Sequence, residues 1–133
     1  STISILTRIA NRLEARKSGA ICVISSVAGD RGRSTNYVYG SAKAMVTTFT
    51  SGMRQRLYKS NVSVVTIKPG FVDTPMTSEF TKGLLWAEPS AVAEKIVKAI
   101  DEKKSEIYVP SFWWMIMVIL KKLPNFIFKR IDL

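Results

Sequence analysis

Tyr39 and Lys43 stand four positions apart in Tyr39-Gly40-Ser41-Ala42-Lys43, and Ser26 lies upstream at the end of Ile21-Cys22-Val23-Ile24-Ser25-Ser26. These three residue types can share one proton-transfer task. A phenol near its reference pKa of about 10 is a poor base at neutral pH, and an adjacent ammonium favours the phenolate and makes it a usable proton donor or acceptor. On a helix, residues four apart lie on one face, one turn apart, so the pair would meet. A serine hydroxyl at the end of the preceding strand would enter the same cavity from the carboxyl edge of a sheet, where open α/β folds place their ligands, and could polarise a carbonyl oxygen. By itself the pair is weak, since four Tyr and twelve Lys in 133 residues would give about a third of such an occurrence by chance.

The elements around these residues supply the context. Apolar residues Ile3, Leu6, Ile9, Ala10 and Leu13 recur at three- and four-residue steps with Arg8, Arg12, Glu14 and Arg16 between them, which predicts an amphipathic helix over 3–17. Ser18-Gly19 ends it, and 20–25 is a short apolar run rich in Ile and Val, as expected of a strand covered on both faces. After a loop over 29–34, a long helix is predicted over 37–60, then a buried strand over 62–67 that Pro69-Gly70 breaks. A helix opens at Glu88-Pro89-Ser90, where proline suits the first helical position, and turns Val92, Ile96, Val97 and Ile100 to one face. Glu106–Val109 is a third strand. Strands alternating with helices imply an α/β fold with a parallel sheet and right-handed crossovers.

Composition narrows the chemistry. The chain has no histidine, which excludes a Ser-His triad, a histidine base and a His-ligated zinc, and leaves acid–base work to Tyr, Lys, Asp or Glu. No metal site is expected. The single cysteine, Cys22, excludes an internal disulfide, favours a reducing compartment and reads as a small core residue. Twenty basic against ten acidic residues, a net charge of +10, calls for an anionic partner. Nucleic acid is disfavoured, because the charge is spread over several elements and no binding module is recognisable. The opening Ser1-Thr2-Ile3-Ser4-Ile5 lacks the charged and apolar regions of a signal peptide.

The end of the chain differs from the rest. Phe112 to Leu120 is an unbroken apolar run, followed by Lys121-Lys122, Phe126-Ile127-Phe128 and Lys129-Arg130. It is far shorter than the roughly 20 residues that span a bilayer. Two readings stand open: an interfacial segment on an anionic membrane, or a terminal helix packed on its own domain or on a second subunit. Arg31 and Arg33 read as solvated loop charges in preference to phosphate ligands, and Arg54, Arg56 and Lys59 as the exposed face of the second helix. Trp86 is either a lid or an aromatic anchor of its loop.

A serine at a strand end, a Tyr-x-x-x-Lys pair in the next helix and a Pro-Gly turn after the following strand, in that order, resemble the short-chain dehydrogenase/reductase family. The resemblance covers residues 1–109. It implies the C-terminal part of a Rossmann-like doubly wound parallel sheet, with about three strands and helices on both faces, and NAD or NADP as cofactor. By that resemblance Tyr39 is the general acid in carbonyl reduction, Ser26 orients the carbonyl, and Lys43 supports Tyr39 and binds the nicotinamide ribose. Pro69, Gly70 and Val72 would line the nicotinamide, with Thr74 on its carboxamide or phosphate side. Ser25 competes with Ser26, whose separation from Tyr39 suits the family better. Tyr37 competes with Tyr39, but four residues beyond it stands Ser41.

The family's glycine-rich cofactor turn and the active-site Asn of the helix before the serine belong upstream and have no counterpart here. The expectation is a C-terminal portion of a chain about twice as long, with 1–110 as the catalytic portion and 111–133 as an apolar, basic tail. A finer resemblance rests on Ser26–Arg33, Lys68–Thr74 and that tail, which are similar to reductases of polyprenyl-phosphate-linked keto-sugars. It implies a lipid-linked carbonyl substrate and a cytoplasmic protein at the inner face of the cell membrane. The competing expectation is a non-catalytic dimerisation module, because family members associate as dimers or tetramers through the helices matching 3–17 and 37–60, and a chain exposing those faces would self-associate.

Overall fold

The structure, a computed structural model, describes residues 1–72 and 86–131. Three parallel strands form the central sheet in the order β1 (Gly19–Ile24), β2 (Val62–Pro69) and β5 (Glu106–Val109), with Gly19 opposite Val62 and Thr66 opposite Glu106. Between β1 and β2 runs α2 (Tyr37–Leu57), and between β2 and β5 runs α3 (Pro89–Asp101). Pro69 is followed by the two-residue β3 (Phe71–Val72), which pairs in parallel with β4 (Trp86–Ala87).

The period-two alternation of strand side chains sorts the core into two layers. On one face Ile21, Val23, Val62 and Val64 pack with Leu6 and Ala10 of α1 (Thr2–Arg16) and with Val46, Met53 and Leu57 of α2. On the other, Val65 and Ile67 pack with Val92 and Ala99 of α3, with Cys22 beside them. Burial raises the Cys22 thiol above its ordinary pKa, as expected of a small core residue. The expected α/β layering is therefore present, with helices on both faces.

Several sequence-level details are corrected by the packing. Val97 is exposed and Ala99 takes its place against the sheet. The α2 helix is closed by a 3₁₀ turn at Tyr58–Ser60. Arg54 is not a solvated helix charge: it crosses onto β2, donating to the Val64 carbonyl at 2.8 Å and to Thr66 Oγ1 at 2.7 Å. Partial burial lowers its pKa despite the nearby Glu106. Arg56 does stay at the surface, paired with Glu14 of α1 at 2.6 Å.

The tail forms α4 (Phe112–Lys122) and the short α5 (Asn125–Phe128). One face of α4 is buried: Trp113 and Met117 pack with Val27 and, partly, with Tyr108, Ile116 and Leu120. Of the two readings of this segment, packing on its own domain holds for that face.

Candidate active site

Ser26, Tyr39, Lys43, Pro69 and Gly70 gather at the carboxyl edge of the sheet. β1 ends at Ile24, and Ser26 caps a 3₁₀ turn at Val27–Gly29 by accepting the Ala28 N–H at 3.1 Å. A hydroxyl has one hydrogen to donate and two lone pairs, so this contact leaves the Ser26 O–H available to an acceptor. Ser25 points the other way. It is 2% exposed, donates to the Lys43 carbonyl at 3.1 Å and shares a 2.7 Å hydrogen bond with Thr47 Oγ1, which places it in the β1–α2 interface.

Two glycines let the serine-bearing turn sit directly on α2. A Cβ at Gly40 would lie 2.6 Å from the Ala28 carbonyl oxygen, and a Cβ at Gly29 would lie 2.7 Å from the backbone nitrogen of Ala44. Backbone thus meets backbone on the helical turn that carries Tyr39 and Lys43. The Lys43 ammonium donates to the Ile24 carbonyl at 3.2 Å and sits 5.7 Å from the centre of the Tyr39 ring. With three N–H donors and one of them given to the Ile24 carbonyl, the ammonium keeps donors for a ligand hydroxyl. Tyr39 is about half exposed (52%). Tyr37 is also exposed, and its carbonyl accepts from Ser41 Oγ at 2.7 Å.

β2 delivers Pro69 and Gly70 to the same edge. Gly70 donates its N–H to the Val109 carbonyl at 3.0 Å and lies directly beneath the Trp113 indole, where any larger side chain would collide. Phe71 stacks on Trp86 and meets Trp113 edge to face, with both pairs of centroids 5.2 Å apart. Trp86 therefore anchors the strand pair as an aromatic contact. The backbone of Val72 pairs in β3; Thr74 lies outside the described residues.

The packing reveals a polar network that the sequence reading missed. Lys68, 3% exposed, pairs with Asp30 at 2.8 Å and with Glu106 at 2.6 Å, and the Tyr108 hydroxyl donates to Asp30. Burial alone would lower the Lys68 pKa, but hydrogen bonds and charge from Asp30 and Glu106 raise it overall. Tyr108 is pushed up to about 12, first by burial and then by its bond to Asp30. The next residue, Arg31, is not solvated as expected. Its guanidinium donates to the carbonyls of Leu120 and Leu123 and to Asn125 Oδ1, and it lies 3.7 Å from the Phe128 ring centre. One loop thus ties the Ser26 turn to β2, β5 and the tail. A lysine inside the apolar strand Val64-Val65-Thr66-Ile67-Lys68 was the available signal, because a charge there needs a partner.

A family model described as short chain dehydrogenase matches residues 1–84. The chain belongs to the short-chain dehydrogenase family. It is 37% identical over 128 residues to an uncharacterized oxidoreductase of Mycobacterium tuberculosis, covering 96% of this chain and 51% of that protein. It is 36% identical over 101 residues to ketoacyl reductase HetN of Nostoc, covering 71% of this chain and 34% of the relative. Among solved structures, a short chain dehydrogenase from Burkholderia cenocepacia in complex with NADP superposes with a TM-score of 0.72 at 20% identity, covering 80% of this chain and 44% of that one. A 3-hydroxyacyl-CoA dehydrogenase type-2 from Mycobacterium avium gives 0.67 at 19%, covering 78% and 48%. These likenesses establish the shared fold. The chain spans about half the length of the curated relatives it matches.

Proposed function

We propose that the protein carrying this chain is an NAD- or NADP-dependent oxidoreductase that interconverts a carbonyl and an alcohol, with 1–110 as its catalytic portion. A nicotinamide bound at Lys43, Pro69, Gly70, Val72 and Thr74 would supply or take the hydride. In the reduction, the Tyr39 hydroxyl gives its proton to the carbonyl oxygen as the carbon becomes tetrahedral. The Ser26 O–H holds that oxygen and stabilises the charge developing on it. The Lys43 ammonium keeps positive charge beside the phenol and offers donors to the ribose hydroxyls. The observation that carries this reading is the seating of the Ser26 turn on the α2 turn of Tyr39 and Lys43, through Gly29 and Gly40.

The finer proposal is a lipid-linked carbonyl substrate, such as a polyprenyl-phosphate keto-sugar, met at a membrane surface. The +10 net charge and the apolar, basic tail support it. Incubation with NADPH or NADH deuterated at the nicotinamide C4, and mass spectrometry of the products, tests both levels. Deuterium is expected on the alcohol carbon. Transfer to soluble ketones but not to the lipid-linked one would overturn the finer proposal, and transfer to none from either cofactor would overturn the whole.

A second reading has one observation in its favour. Ile5 and Ile9 of α1 and Met45 of α2 are exposed apolar residues on the helices expected to associate, so a dimerisation module remains the alternative. Sedimentation of the wild type and of Ile5→Glu distinguishes it: a dimer that the variant splits, without hydride transfer, is the outcome that reading requires.

A further inference from the structure

The face of α4 that does not touch the domain is as apolar as the face that does. Phe112, Met115 and Ile119, at steps of three and four, are 40%, 62% and 57% exposed, while Trp113 and Met117 on the opposite side are 6% and 4% exposed. A helix apolar all round is ordinarily covered all round. Among the described residues nothing covers this outer face, and α5 adds exposed Phe126 and Ile127. At its border stand Lys121, Lys122, Lys129 and Arg130, all exposed, and the sequence has no acidic residue from Ile107 to Ile131.

We propose that this outer face docks on an anionic lipid surface and thereby holds the carboxyl edge of the sheet at headgroup level. Charge selects the occupant. A second copy would bring the same cations face to face, whereas anionic headgroups neutralise them while the apolar side chains enter the acyl boundary. An 11-residue helix is about 16 Å long, half the roughly 30 Å of a bilayer core, so α4 lies on the surface. No described helix is long and apolar enough to cross a membrane.

The tail is also held by contacts where such docking would serve the site. Trp113, in the first turn of α4, covers Gly70 of the Pro-Gly turn, and Arg31 of the serine-bearing loop binds the carbonyls at the end of α4. The helix therefore spans the carboxyl edge from one candidate site loop to the other. Docking itself rests on the tail's residues alone; only the delivery of a lipid-linked carbonyl to Tyr39 rests on the oxidoreductase reading.

The test is co-sedimentation of the full chain with vesicles of phosphatidylcholine alone and of phosphatidylcholine mixed with phosphatidylglycerol. Binding to the mixed vesicles only, weakening as salt rises, is expected. Met115→Glu/Ile119→Glu and Lys121→Glu/Lys122→Glu should each reduce partitioning by about tenfold or more. The lysine pair lies outside the packed face, so it preserves the test if the apolar pair fails to fold by circular dichroism. Equal binding to both vesicle types, or to neither, overturns the proposal. So does a concentration-dependent dimer that Met115→Glu/Ile119→Glu abolishes. Tyr39→Phe should bind vesicles like the wild type; docking by the wild-type protein without any hydride transfer would sink the oxidoreductase reading and leave the lipid surface standing.

Discussion

At the scale of single residues, the two adjacent serines carry opposite assignments. Ser25 has its hydroxyl in the β1–α2 interface between the Lys43 carbonyl and Thr47, whereas Ser26 spends one lone pair on the Ala28 N–H and keeps its hydrogen. Ser25→Ala should lower stability by about 1–3 kcal/mol, because Thr47 loses a buried partner, and change kcat/KM by only a few-fold. Ser26→Ala should cost about 1 kcal/mol from the lost turn cap and reduce kcat by about 10²–10³ through the lost donor to the oxygen. Thermal unfolding and steady-state kinetics on both variants check the contrast, and the reverse pattern would exchange the roles. The proposed trio could be named from the sequence because its order along the chain is local and its residue types are chemically specific. Which serine faces the core was not, since both occupy the same strand end and only the position of α2 separates them.

At the scale of elements, close approach of the Ser26 turn to α2 decides the site's shape. Alanine is about 1 kcal/mol more favourable than glycine in a helix interior, so propensity predicts that Gly40→Ala and Gly52→Ala both stabilise α2. Space decides otherwise. A Cβ at Gly52 meets nothing within 4 Å, but at Gly40 it lies 2.6 Å from the Ala28 carbonyl oxygen. Gly52→Ala should raise stability by about 0.5–1 kcal/mol, and Gly40→Ala should lower it by about 1–3 kcal/mol and slow turnover by moving Ser26 off the helix. Denaturant midpoints of the two variants settle it; a stable, fully active Gly40→Ala would show that the turn does not need this contact. The three strands of the central sheet and α1 to α3 were legible within a few residues, because buried strands and amphipathic helices write their periods into the sequence, whereas the two-residue β3 and β4 are too short to show one. The misplacements fell on side chains such as Arg54 and Val97, where reach and packing outweigh the local pattern.

At the scale of the whole molecule, long-range polar contacts join the site to the tail; Lys68 in an apolar strand signalled that a partner was needed, but sequence separation hid which residues supply it. Tyr108 and Asp30 are 78 positions apart, and Arg31 and Leu120 are 89 apart. The buried network has a signature at high pH. Lys68 and Tyr108 both have pKa values raised by folding, Tyr108 to about 12. Each therefore contributes stability that is complete below its unfolded pKa, near pH 10, and is lost as the pH rises through the folded value. The thermal midpoint should fall between about pH 10 and 12, and Tyr108→Phe should flatten part of that fall. A midpoint flat across that window, or a variant with an unaltered slope, would remove Tyr108 from the account. Fold, candidate proton-transfer residues and tail meet at one sheet edge, and the most direct check of the chemistry proposed there is the turnover of Tyr39→Phe. In the protein carrying this chain, carbonyl reduction with NADPH or NADH should fall by about 10²–10⁴ while affinity for the cofactor it uses, followed by fluorescence titration, stays within a few-fold of the wild type. A Tyr39→Phe variant that reduces the carbonyl at close to the wild-type rate would contradict the assignment of Tyr39 as the proton donor.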